Sequence, residues 1–114
     1  MVVCIPVTAD GNVGDGWGRA HDVVVADVDG ASGEIQQWEE FSVRWDELHD
    51  QNGEGQHHAR IARFLMDHHV ARVVCGHMGP GMLHMLQRMN IGVVLDIHGN
   101  ARDAASQYGL RGPS

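Results

Sequence analysis

The sequence predicts a three-layer α/β/α domain on a five-stranded mixed sheet, with strand order 3-2-1-4-5 and strand 2 the antiparallel member. Three observations predict it. Val2 to Val7 is an apolar run without alternation, as a central strand covered on both faces requires. The next two strand-like runs are joined by Asp29-Gly30-Ala31-Ser32-Gly33, a tight-turn composition that makes them a hairpin. From Gln56 onward, helical and β-branched segments alternate. Strand–helix–strand crossovers within one sheet are right-handed and parallel.

The elements follow in order. Cys4 sits inside the first run and reads as a small buried hydrophobe. Thr8 to His21 is a loop carrying Gly11, Gly14, Gly16 and Gly18. It lacks the GxGxxG-to-helix fingerprint of a dinucleotide site. Trp17, set between two of those glycines, either plugs the end of the core or covers a site; as a cover it would move when a ligand binds. Asp22 to Asp29 is the second strand and Glu34 to Val43 the third. The third is mixed and acidic, which suits a sheet edge. Trp45 onward is a helical turn or a strand tail, and Asn52 to Gly55 a loop. Gln56 to His69 is a helix with Ile61, Phe64 and Leu65 as its stripe, and His57, His58 and His68 on or beside it. Val70 to Cys75 is a buried strand. Pro80 to Met89 is a helix with Met82, Met85, Leu86 and Met89 inward and His84 and Arg88 outward. Ile91 to Ile97 is the last strand, with Asp96 and His98 on one face, and Asn100 to Tyr108 a small helix. The α/β domain is expected over residues 1–98, with 99–114 a short C-terminal helix and tail.

Composition removes several function classes. The chain has 114 residues, a single-domain length, and 43% of them are apolar, enough for one core. Eight basic and fifteen acidic side chains give a net charge of −7, and there is no lysine. That argues against a nucleic-acid partner, which needs a basic patch. The two cysteines, Cys4 and Cys75, lie in apolar runs with no export signal before them, so no disulfide and a cytoplasmic address are expected. No apolar run is long enough to span a bilayer. The first strand carries no carboxylate for a two-metal nuclease; Asp10 and Asp96 are the nearest candidates. No serine occupies a nucleophile elbow. The protein is expected not to be an enzyme.

The chemistry concentrates between Gln56 and Pro80. In a parallel unit, a helix start and the turn after the next strand lie at one edge of the sheet. His57 and His58 therefore approach Cys75 and His77, beside the glycine loop. Imidazole and thiolate suit borderline and soft metals. Gly76 and Gly79 let backbone N–H groups face a ligand, and two helix starts favour an anion. Cys75 reads equally as a core residue. His68 and His69 at a helix end are favoured by its dipole alone. The spacing matches no standard zinc pattern.

Cys4 to Gly11 (CIPVTADG), Trp17 to His21 (WGRAH), Gly55-Gln-His57-His58, and Val73 to Leu86 (VVCGHMGPGMLHML) together resemble the dinitrogenase iron–molybdenum cofactor biosynthesis family. The resemblance covers residues 2 to 98. It departs at Trp17, where the family usually has phenylalanine. It implies a ribonuclease H-like fold and a non-enzymatic carrier or accessory role. It also implies an iron–sulfur or iron–molybdenum cluster as ligand, with zinc or no specific ligand as the alternative. Metal contacts fall on His57, His58, Cys75 and His77, with Trp17, Gly76 and Gly79 around them. A cluster donor or acceptor protein, or a second copy of the chain, is the expected partner.

Overall fold

β1 (Val2–Val7) is the middle strand of a five-stranded sheet. β2 (Asp22–Val28) runs antiparallel along one side of it and β4 (Arg72–Val74) parallel along the other. β3 (Ile35–Ser42) pairs antiparallel with β2, and β5 (Gly92–Val94) pairs parallel with β4. The order is β3-β2-β1-β4-β5, as the hairpin and crossovers require. This computed structural model describes residues 1–48 and 54–111.

Side-chain alternation divides the core in two. Cys4, Val23, Val73 and Cys75 join the cluster that also holds Ile61 and Leu65 of α2 (Glu54–Asp67) and Met82 and Leu86 of α3 (Pro80–Arg88). Val3, Ile5, Val7, Val24 and Val74 face the other way, against Ala101, Ala104 and Ala105 of α4 (Ala101–Tyr108). Every residue of β1 from Val3 to Val7 is buried, which explains its lack of alternation. The alanines bring α4 close to the sheet. At Gly109, just past that helix, an added Cβ would sit 2.6 Å from the Val28 side chain.

The outer strand β3 keeps Ile35, Trp38 and Phe41 half-buried and exposes Glu39 and Glu40. Trp38 and Phe41, three apart on a regular stretch, face the α4 side and the α2 side respectively, while a register shift between Asp27 and Val28 lets Ile35 share the α4 side with Trp38. Arg102 of α4 lies over the Trp38 ring at 4.3 Å.

Residues Trp45–Leu48 form a single helical turn, α1, one of the two readings the sequence allowed, seated by backbone bonds from Trp45 and Asp46 to the Ala20 carbonyl. Other boundaries differ from the sequence reading. β4 is shorter than Val70 to Cys75. Gly55, expected in a loop, lies inside α2, so His57 and His58 are already within the helix. β5 stops at Val94 because the chain turns at Asp96, which takes a φ of 61°. Asp96 and His98 therefore do not share a strand face.

Candidate functional site

Four chain segments converge where β1, β4 and β5 end and β2 begins. The glycine loop is fastened to the turn after β4 by backbone bonds. Gly76 N–H donates to the Gly14 carbonyl (3.3 Å), His77 N–H to the Asp15 carbonyl, and Trp17 N–H to the His77 carbonyl (3.0 Å). An added Cβ at Gly76 would meet the Asp15 backbone at 3.0 Å, so that glycine is required by the loop itself. Gly79 is the N-cap of α3, and an added Cβ there would meet nothing within 4 Å. On its other side the loop meets α2: the His57 Nε2 lies 2.7 Å from the Gly18 carbonyl.

The sequence-predicted residues have distinct surroundings. His57 is buried, and its Nδ1 lies 3.0 Å from the Arg60 guanidinium. A guanidinium only donates, so Nδ1 accepts and Nε2–H donates to Gly18; this assigns the tautomer. His58 is half-buried and His77 exposed. Cys75 is buried, its thiol 3.6 Å from the His77 carbonyl, and burial pushes that thiol up to about 12. It is protonated at neutral pH. Cys4 lies on the same face of the sheet in the same core cluster. Burial first, and Cys75 beside it second, push the Cys4 thiol far above its ordinary range. Cys4 is thus the small buried hydrophobe that the sequence predicted.

Trp17 is fully buried and packs edge-on against Trp45, ring centroids 5.1 Å apart. It plugs the end of the core beneath the loop. Its indole N–H has no hydrogen-bond partner among the described residues. His68 packs at the other end of α2 against Phe41 and Phe64, with ring centroids 4.6 and 4.4 Å away. His98 lies 3.6 Å from Asp15, both exposed, and His84 faces solvent. His49 lies outside the described residues.

A different group also meets at this edge. His21, Asp46 and Glu47 offer donor atoms all within 4.8 Å of one another, a set capable of coordinating a metal ion. Among the described residues, no three of His57, His58, Cys75 and His77 meet that closely. His21 Nδ1 is 3.1 Å from both Asp46 carboxylate oxygens and 3.5 Å from Glu47 Oε2. Arg44 clasps Glu47 with two bonds, at 2.6 and 3.0 Å. The hydrogen bonds from Arg44 hold the Glu47 carboxyl below its usual range. His21 and Asp46 are far apart in sequence; the β2–β3 register, with Asp22 opposite Ser42, brings them together. That register was the available signal, and the sequence reading did not carry it past Val43.

The chain matches the family described as dinitrogenase iron-molybdenum cofactor over residues 1–110. It belongs to that family. Its members are accessory and carrier proteins and not catalysts. No curated protein matches the chain. Among solved structures, the chain is similar to the one described as the crystal structure of PH0822. The TM-score is 0.73 at 24% identity, over 95% of this chain and 88% of that one. At that identity the likeness supports the fold. The family and the fold together match the ribonuclease H-like, metal-associated reading of the sequence. No helix among the described residues is long and apolar enough to cross a membrane.

Proposed function

We propose that this member of the family is a carrier or accessory domain that holds a metal cluster of the iron–sulfur or iron–molybdenum type as cargo at the carboxyl edge of its sheet. The observation that carries the reading is the convergence of the glycine loop, the first turns of α2 and the turn after β4 at one place. His57, His58, Cys75 and His77 are the contacts, and Trp17, Gly76 and Gly79 surround them. Imidazole and thiol are the donor types such a cluster takes.

Capture begins at the donors nearest solvent. His77 is exposed and His58 half-exposed, so they meet the cargo first. Cys75 and His57 follow only if the Gly14 to Gly18 segment lifts, because one is buried beneath it and the other is bonded to it. Cys75 must also lose its proton, which burial opposes. Loading is therefore slow and coupled to loop movement, a property suited to a carrier that must also release. A cluster donor or acceptor protein is the partner at this edge, and a second copy of the chain is the alternative way to complete the ligand set.

The test is anaerobic reconstitution with iron and sulfide, followed by absorption spectra and metal counting. Stoichiometric iron with a charge-transfer band is expected, reduced in both Cys75→Ala and His77→Ala. A chain that takes up no iron, while Cys75→Ala only lowers the melting temperature, would make Cys75 a core residue and end the proposal.

A further inference from the structure

We propose that His21, Asp46 and Glu47 form a separate mononuclear site for a divalent transition-metal ion at the rim of the same edge. The inference does not rest on the cluster-carrier reading, since none of its ligands belongs to that set.

The spacings from His21 to the two carboxylates are close to those between donors around one ion. Nitrogen and oxygen ligands lie about 2.0–2.2 Å from zinc, so tetrahedral donors sit roughly 3.3–3.6 Å apart. The His21 ring nitrogen is 3.1 Å from the Asp46 oxygens and 3.5 Å from Glu47 Oε2. One imidazole and two carboxylates suit zinc, cobalt or ferrous iron better than calcium, which takes six to eight oxygens.

The ligands come from two segments held by backbone bonds. Arg44 N–H donates to the His21 carbonyl (2.9 Å) and Trp45 N–H to the Ala20 carbonyl (2.9 Å). Trp45 is buried against Trp17, which anchors the turn from below. The three side chains are 42 to 49% exposed, so an ion can enter and keep open positions for water or a partner's donor. Arg44 is the built-in competitor: it occupies both Glu47 oxygens and adds a positive charge. Without an ion the same group is an ion-pair network, and the experiment separates the two.

The test titrates the full chain with Co²⁺ at about pH 7.5, above the ordinary histidine range, and follows the visible d–d bands and displacement by Zn²⁺. One ion per chain is expected. His21→Ala and Asp46→Asn should each weaken binding by at least about tenfold, with unchanged melting because both side chains are exposed. Arg44→Gly removes the competing cation at a residue with φ of 56°, which glycine adopts freely, so it should tighten binding. His84→Ala, at a solvent-facing residue of α3 outside both donor sets, should leave cobalt affinity unchanged. Absence of cobalt binding at about millimolar metal would reduce the group to an ion-pair network and overturn the inference. Binding that survives His21→Ala but is lost in His77→Ala would also overturn it, and would place the ion among the proposed cluster contacts instead.

Discussion

The two faces of the sheet are built from different materials. Under α2 and α3 lie two tryptophans, two cysteines, Met78 and Met82, and several large aliphatic residues. On the α4 side the buried residues are valines, Ile5, Ala26 and the three alanines of α4 itself. The large face continues into the carboxyl edge: Trp17 closes its end, and Cys75 leads directly to His77. The small face leads to a helix packed close against the strands. One face is therefore filled by volume and the other by proximity, so they should respond to opposite kinds of substitution. The large face is sensitive to truncation and the small face to enlargement.

Truncation on the large face should give the biggest effect. Trp17→Ala is expected to cost about 3–5 kcal/mol, the usual range for emptying a fully buried aromatic site, read as a lower urea midpoint. Trp17→Phe should cost less than about 1.5 kcal/mol, because it also removes an indole N–H that has no hydrogen-bond partner among the described residues. A phenylalanine variant as unstable as the alanine variant would mean that the indole ring itself, and not the volume it fills, governs this end of the core.

Enlargement on the small face comes next. Gly109→Ala places a methyl 2.6 Å from both the Ala105 carbonyl oxygen and the Val28 side chain. It should cost about 1–3 kcal/mol, the range for overpacking. A neutral result would show that α4 can shift off the sheet, and the contrast between the faces would fail.

A third experiment separates the faces by pH. Cys75 and Cys4 both lie on the large face with their thiols raised by burial, Cys75 from 9.0 to about 12. A raised folded value means that this contribution is complete below pH 9.0 and is lost as pH climbs toward 12. Urea midpoints should fall across that window, and less so in Cys75→Ala. A disulfide-exchange reagent near neutral pH should find neither thiol until the protein unfolds; immediate reaction would show that the edge opens readily. Smallest of all, His21→Ala in metal-free buffer should change stability by less than about 0.5 kcal/mol, as exposed substitutions do.

The strand order was legible because each strand carries its own signature. Unbroken apolar β1, the Asp29–Gly33 turn and two crossovers leave few arrangements. The meeting of the glycine loop with His57 and the Cys75–His77 turn follows from the same topology. Burial depth at the edge was not legible. Cys75 ends a strand and His57 begins a helix stripe in either reading; only the path of the loop over them decides how accessible they are. The His21–Asp46–Glu47 group was missed for another reason. Its members are united by strand register and by the reversal at Arg44, whose φ of 56° no residue pattern announces.

The acidic outer strand has a consequence for how copies of this protein meet in solution. β3 is the longest strand and lies at the open end of the sheet, a natural template for adding a strand from another molecule. Glu39 and Glu40 follow one another along it, so each presents negative charge on one of its two faces. Two such strands brought side by side repel one another while those carboxylates are ionised. The same residues that make β3 a poor strand by composition thus act as a colloidal safeguard, one that weakens on acidification. Any stable pairing of copies at neutral pH is then directed away from this border of the sheet.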